Sequence, residues 1–412
     1  MIVGASERCA SAEDSILRAH RFLDENRIEV EYSTEGEDIV TTYCKLISAD
    51  GSIAIGTGKG LSDQSQASAV FEAIEHLASG SQPPGLKCVD LDLQGDDAYL
   101  VGGSPGFAGL PSGLSLSLSR VNAYALGGEP KAIQYPYFLR DPGFCSRDTV
   151  EANCLRGLGL ARYATNSGVA AGLSATDAIL HGLLELIERD AIGVTLLATI
   201  FSSTPRPVRR LSRERLGDLL GEDLNRIETA AGRRLDAWDI TTDLQVPVLL
   251  ARLKGQDGRA FYGSGASLSF AYALLRAGTE ALQFVHGVRS GRVVAPAVER
   301  ERHLLPMSAS QLLNGQFGFR GGEEVGPWGA DASRHLDLSS AEQVDEIVSM
   351  LIVRGIHVYH CPLLSGAVHV EHVISPQLER FFLVSYGVPV APGSRGKAFL
   401  SGRNSPDSSP LC

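Results

Sequence analysis

A mixed α/β fold is the class this sequence predicts, and three observations carry it. Short runs rich in strand-favouring residues lie at 28–33, 40–47 and 53–56, the last after a turn at Asp50-Gly51. Serine-capped helical runs start at Ser62 and Ser174 and reach about 78 and 200. Helical runs at 15–26 and 269–288 and strand-like runs at 246–253 and 357–360 continue the alternation. Strands and helices mixed along one chain imply an α/β or α+β layer architecture.

Val101 to Ser119 is rich in Gly, Ser and Pro and reads as a loop. The stretch from Gly393 to Cys412 has a similar composition and reads as a loose tail. No other stretch looks like a long linker. The expectation is one compact unit over 1–395 with sub-lobes, followed by a flexible tail over 396–412.

At 412 residues the chain can bury a large core, and its 44% apolar and 21% charged residues are ordinary for a globular enzyme. A net charge of −11 argues against broad binding to nucleic acid or anionic membrane. The first residues, 1–9, carry no secretory signal. The longest apolar run, Ala191 to Phe201, is too short to span a bilayer. Seven cysteines without a CxxC pair read as free thiols in a reducing cytoplasm.

Two helical runs end in the same acidic pattern. One is Ser68-Ala-Val-Phe-Glu72-Ala-Ile-Glu75-His76, the other Gly182-Leu-Leu-Glu185-Leu-Ile-Glu188-Arg189-Asp190. Carboxylates three residues apart share a helix face and repel. In apolar surroundings they need water, a donor or a cation to stay charged. Four such glutamates suggest a hard divalent cation, Mg²⁺, and through it a nucleoside triphosphate. Both helices follow a Gly-Leu-Ser lead-in, Gly60-Leu61-Ser62 and Gly172-Leu173-Ser174. That hints at a duplicated helix, although the spacing to the first glutamate differs by one residue and chance similarity stays open. A third run, Arg276-Ala-Gly-Thr-Glu280-Ala-Leu-Gln283, adds a carboxylate and an arginine fork suited to phosphate. Its bland reading is a surface ion pair at i,i+4.

The order of these elements resembles the YcaO family. The most specific match is Asn166-Ser167-Gly168-Val-Ala-Ala171-Gly172-Leu-Ser174-x-x-Asp177-Ala178-Ile179, followed by Glu185-x-x-Glu188-Arg189-Asp190. Gly58-Lys59-Gly60 leading to Glu72-x-x-Glu75, the N-terminal Ala12-Glu13-Asp14-Ser15-Ile16, and Arg276-x-x-x-Glu280 fall in the family's order. The resemblance is clear from about residue 5 to residue 290 and weaker to about 395.

What it implies is an ATP-dependent enzyme that activates backbone amides of a ribosomally made precursor peptide, without a Walker A loop. The implied chemistry is cyclodehydration to thiazoline or oxazoline rings, as in bacteriocin biosynthesis, with thioamide or macroamidine formation as the alternative. A non-catalytic scaffold is the second alternative. The implied cofactors are ATP and Mg²⁺. Glu72, Glu75, Glu185, Glu188 and Glu280 would hold Mg²⁺. Ser68 and Arg189 would contact phosphate oxygens, Ser15 and Arg276 would line the nucleotide cleft, and Asp177 would face the nucleoside. Arg8 stands where a lysine is expected, Asp177 where a glutamate is common, Leu173 where some relatives carry asparagine, and His76 where an arginine follows the first glutamate pair.

Azoline-forming members often finish in a proline-rich run. Here Pro389 and Pro392 are followed by a different tail. The implied partners are the precursor peptide and a separate leader-peptide-binding protein, since the chain starts at the catalytic region. A flavin dehydrogenase is one candidate member of the complex, and a homodimer one candidate assembly. A competing metal site could be built from His357, His360, Cys361, His369 and His372. Strand alternation disfavours it, because i and i+3 point to opposite faces.

Overall fold

The computed structural model describes residues 10–80, 86–93, 95–108, 110, 114–126, 131–202, 208–255, 259–293 and 338–401. Arg8 and residues 402–412 lie outside them. Helices and antiparallel sheets alternate as the mixed class requires.

The first lobe is an antiparallel meander of β1 (Glu29–Glu35), β2 (Val40–Ile47) and β3 (Ile53–Gly60), flanked by α1 (Ala12–Glu25) and α2 (Ser62–Ser79). The second lobe has the strand order β11-β10-β9-β8. Its strands are β8 (Arg209–Arg210), β9 (Arg234–Asp239), β10 (Val248–Lys254) and β11 (Ala260–Ala266). They carry α5 (Arg213–Leu220), α6 (Glu222–Ala231) and the long α7 (Phe270–Arg289).

A six-stranded sheet joins the lobes. It runs β4 (Lys87–Leu91), β5 (Leu114–Ala123), β12 (Tyr359–Leu364), β13 (His369–Ile374) and β7 (Val169–Gly172), with β6 (Ala132–Pro136) beside β5. α3 (Val150–Gly157), α8 (Ser340–Ile352) and α9 (Ser394–Leu400) complete the fold with α4 (Ala175–Leu196), which ends in a π-helical turn at Leu197–Phe201. α4 packs on β7, β13 and β11 at once, so it touches both the central sheet and the second lobe. Each lobe has its own apolar cluster, and the largest lies around α4 and the six-stranded sheet. No helix among the described residues is long and apolar enough to cross a membrane.

The duplication lies elsewhere than the shared Gly-Leu-Ser lead-ins suggest. In β3, Gly56 and Gly58 press against the backbone of Ser65, Ala69 and Ala73 on α2. In β11, Gly263 and Gly265 press in the same way against Ala273, Ala277 and Ala281 on α7. A Cβ at any of these glycines would collide with helix backbone, so the Gly-x-Gly strand and the i, i+4, i+8 row of small residues require each other. The repeat therefore relates α2 to α7. It places Ser68 and Glu72, just before Ala69 and Ala73, where Arg276 and Glu280 stand before Ala277 and Ala281.

Two expectations fail. Residues 101–119 are not all loop: 114–119 belong to β5, whose Leu116, Leu118 and Val121 are buried. The leucines alternate with serines there, a period-2 strand pattern that the Gly/Ser/Pro composition obscured. The segment after 393 is not all tail either. α9 folds at 394–400 and docks on α4, with the Arg395 guanidinium gripping Asp190 at 2.7 and 2.9 Å.

Candidate active site

Each glutamate of the two repeated motifs is held by an element other than its own helix. Glu72 accepts the Thr57 N–H of β3 at 3.2 Å. Glu75 accepts the Ala171 N–H of β7 at 2.7 Å. Glu185 accepts the Gly168 N–H at 3.1 Å, where the chain turns into β7 with φ +89°, a backbone shape suited to glycine. Glu188 is buried and accepts the Ser264 hydroxyl of β11 at 2.6 Å. Glu280 takes Lys59 Nζ of β3 at 2.6 Å. These donors explain how apolar helices tolerate like charges one turn apart.

The charges that matter most to one another lie across helices. Burial pushes the Glu72 carboxyl up; His76, the Thr57 amide and Lys59 oppose this, and the Glu185 charge adds to the rise. Burial pushes Glu188 up as well, and the Glu280 charge adds to it against Arg189, Arg276 and the Ser264 hydroxyl. Burial would also raise Glu280, but Lys59, Arg189 and Arg276 outweigh it and hold that carboxyl below its usual range. The sequence pairs, 72 with 75 and 185 with 188, thus become the cross-helix pairs Glu72–Glu185 and Glu188–Glu280.

Two arginines belong to the same cluster. Arg189 reaches Glu185 at 3.5 Å, donates to the Tyr386 hydroxyl at 2.8 Å and stacks on the rings of Phe382 and Tyr386. Its Nε is buried without a hydrogen-bond partner. Arg276 is half-buried and attracts both Glu188 and Glu280. Ser68 is half-buried one turn before Glu72, on the same helix face.

A pocket lies beside this cluster, lined by Ala10, Ser15, Phe71, Leu173, Asp177 and His181 among others. Ser15 is buried and donates to the Ser11 carbonyl at 2.7 Å. Asp177 is buried and accepts the Ser340 hydroxyl of α8 at 2.5 Å. Ser15 therefore meets Leu173 and Asp177, which lie far from it in sequence, at one end of the site. Arg8 lies outside the described residues.

Sequence reasoning missed Lys59, Ser264, Phe382 and Tyr386. Lys59 was visible only as the middle of Gly58-Lys59-Gly60, the lead-in to the first glutamate pair, with no role given to it. Ser264 stands between the two packing glycines of β11, as Thr57 does in β3, and only the repeat could have flagged it.

Among the described residues, no three His, Cys, Asp or Glu groups converge to cage a metal by themselves. The donor set still fits Mg²⁺, which binds through one or two carboxylates plus phosphate oxygens and water more often than through an all-protein cage. Two carboxylate pairs, with Glu72 and Glu188 raised, are what such a cation would relieve. The histidine alternative dissolves. His360 pairs with Glu371 at 3.0 Å, while His372 is buried and accepts from Arg140 Nε at 3.4 Å.

His372 carries a prediction of its own. Burial, with the charges of Arg140 and Arg380, holds its pKa well below the usual imidazole value. The folded pKa lies below the unfolded one, so the stability this residue contributes is present above about pH 6.5 and is lost as pH falls toward the folded pKa. His372→Gln keeps a neutral acceptor. It should reduce the stability lost between about pH 7 and pH 5.5 by about 1 kcal/mol. Denaturant unfolding of both proteins at the two pH values measures this, and equal losses would refute it.

Residues 149–379 match the model of the YcaO cyclodehydratase family, described as ATP- and Mg²⁺-binding. The chain belongs to the YcaO family. A Rhizobium leguminosarum bv. trifolii relative, an uncharacterised protein in the tfuA 3′ region, is 32% identical over 130 residues, covering 29% of this YcaO chain and 30% of the relative. An uncharacterised Methanothermobacter thermautotrophicus protein is 27% identical over 271 residues, covering 61% of this chain and 63% of that one. The matches thus span less than two thirds of either relative's length.

Among solved structures, a heterocyclase in complex with substrate and cofactor superposes with a TM-score of 0.64 at 18% identity, covering 90% of this chain and 52% of that one. The Methanopyrus kandleri YcaO bound with AMPPCP and Mg²⁺ gives 0.62 at 18% identity, with 91% and 93% covered. The E. coli microcin synthetase McbBCD complex with pro-MccB17 bound gives 0.56 at 14% identity, with 85% and 88% covered. At these identities the likeness is one of fold, and it establishes the mixed α/β YcaO architecture.

Proposed function

We propose that this YcaO protein phosphorylates backbone amides of a ribosomally made precursor peptide at the expense of ATP, and so forms thiazoline or oxazoline rings. The observation that carries the reading is the convergence of Glu72, Glu185, Glu188 and Glu280 from three helices around Arg189, Arg276 and Lys59. Glu75, also on α2, is held by the Ala171 N–H of β7. In this reading the five glutamates hold Mg²⁺, while Arg8, Ser15, Ser68, Asp177, Arg189 and Arg276 bind ATP. When bound, Mg²⁺–ATP supplies the phosphoryl group that the amide oxygen accepts.

This chain's own residues position the groups and neutralise charge on the transferring phosphoryl, as phosphoryl transfer demands. No protein nucleophile is needed, because a Cys, Ser or Thr side chain of the peptide adds to the preceding carbonyl. The C–O bond of the phosphorylated adduct then breaks, and phosphate leaves with the oxygen. Cys145 fits this division of labour: burial, with nearby acidic charge, pushes its thiol up to about 11, away from thiolate chemistry.

The partners in this reading are the precursor peptide and a separate leader-binding protein in the cytoplasm. The McbBCD structure, a complex holding pro-MccB17, supports a multi-protein setting. The Rhizobium relative's place 3′ of tfuA makes a neighbouring gene product a candidate partner. One observation favours a second product. Residues 394–400 are folded and anchored through Arg395 instead of forming an extended proline-rich run, a departure that suits one of the other products, a thioamide or a macroamidine.

The mass of the product peptide separates these outcomes. After reaction with precursor, partner, Mg²⁺ and ATP, loss of one water per site is expected for a ring, with fragmentation to distinguish a macroamidine. Exchange of oxygen for sulfur would move the assignment to a thioamide. An unmodified peptide and no ATP turnover, with a precursor and partner shown to bind, would leave only the scaffold role.

A further inference from the structure

A second pocket has Arg189 in its wall. Arg140, Arg189, Arg380, His372, Ser167 and Ser375 line it among others. Its charge is unbalanced. Arg140 is buried, and among the described residues its nitrogens reach the Ser119 hydroxyl at 2.7 Å and His372 but no carboxylate. Arg380 donates to the Tyr163 carbonyl at 3.2 Å and to the Tyr135 hydroxyl. The one acidic lining residue, Glu379, turns its carboxylate to the backbone N–H groups of Arg380, Phe381, Gly393 and Gly396. A buried guanidinium without an anion is costly.

Two donors in the same cavity are also unsatisfied. Ser375 is 5% exposed, and among the described residues neither its Oγ nor Arg189 Nε has a hydrogen-bond partner. Buried donors are rarely left unpaired, so each such group asks for an explanation. Water could satisfy the hydroxyl but would leave the excess positive charge. A compact anion whose oxygens only accept would meet both needs.

We propose that this cavity is a binding site for inorganic phosphate, held by Arg140, Arg189, Arg380 and Ser375. The assignment of its source rests on the proposed function. Arg189 both reaches Glu185 of the glutamate cluster and lines this pocket, so phosphate released from the activated amide would already be in contact with one of the pocket's cations. The site then acts as a product-holding pocket, and phosphate occupying it contacts the same arginine that serves the phosphoryl group.

The test uses the full-length protein with inorganic phosphate in EDTA, read by thermal denaturation and by ³¹P line broadening. Phosphate should raise the melting temperature saturably, while chloride at equal ionic strength should not. Arg140→Gln should weaken phosphate at least about ten-fold, and Ser375→Ala about three- to ten-fold. Ser375→Ala only deletes an unpaired buried hydroxyl, so its phosphate-free melting temperature should not fall. It keeps the test alive if Arg140→Gln fails to fold.

Phosphate binding that is unchanged in Ser375→Ala, or that disappears when EDTA is added, would overturn the proposal. The EDTA result would place the anion on a cation at the glutamates instead. Glu188→Gln, which disables the proposed Mg²⁺ site, should still bind phosphate in EDTA. The pocket therefore stands or falls separately from ATP turnover.

Discussion

Glu188→Gln is expected to abolish precursor-dependent ATP hydrolysis, by at least about a hundred-fold, because it removes a preorganised charge from the proposed phosphoryl-transfer site. It should do so without harming the fold. Glu188 sits buried against Glu280 and accepts the Ser264 hydroxyl at 2.6 Å. Glutamine keeps the shape and the acceptor oxygen and deletes the repelled charge. The metal-free melting temperature should therefore equal or exceed that of the parent. Activity lost together with stability would mean only a broken core. Turnover within a few-fold of the parent would remove Glu188 from the site. The two readings are measured on one purified protein, by phosphate release and by thermal unfolding.

The sequence carried the site's residue types further than its geometry. Glu-x-x-Glu on an apolar helix is visible because like charges at i,i+3 need an external reason. What a helical period cannot show is which helix faces which. Here β3 and β7 donate backbone N–H groups to α2, and β11 supplies Ser264 to α4. These contacts pair Glu72 with Glu185 and Glu188 with Glu280. Lys59 meets Glu280 across 221 positions of sequence, so no local pattern could announce the ion pair.

The strands show the same limit. Val40–Ile47 is β-branched and bounded by turns, and it reads directly as a strand. Val169–Gly172, buried on both sides and only four residues long, has no period to read, yet it places Glu75 and the cavity beside Ser15. β5 hides behind serines that a composition scan takes for loop. The duplication was sensed in the wrong pair of helices. The Gly-Leu-Ser lead-in caps only α4, where the Ser174 hydroxyl accepts the Asp177 N–H; in α2 the expected cap Ser62 lies inside the helix and Leu61 stands at the N-cap without a side-chain bond. The tertiary repeat of α2 and α7 is written in Gly-x-Gly strands and rows of small helix residues.

The largest stability effect lies where the sequence reads as tail. Arg395→Ala should destabilise the protein by about 3–5 kcal/mol, since it strands a buried carboxylate. Asp190 is fully buried on α4, next to Arg189, and Arg395 closes a fork on it at 2.7 and 2.9 Å. Asp243 takes the same guanidinium at 2.6 Å, and the Glu379 N–H completes the Asp190 shell at 2.8 Å. Without the arginine, one amide donor remains against a full charge in an apolar setting.

Neutralising both partners should recover most of the loss, because a buried pair replaced by neutral groups is often near break-even. Asp190→Asn with Arg395→Leu is therefore expected to be more stable than Arg395→Ala alone. Denaturant unfolding supplies the energies, and amide exchange over 394–400 reports whether α9 has left α4. A change under about 0.5 kcal/mol for Arg395→Ala would class the pair with ordinary surface bridges. Because Asp190 adjoins Arg189, release of α9 should also slow ATP turnover. That link would make α9 part of what holds Arg189 in place.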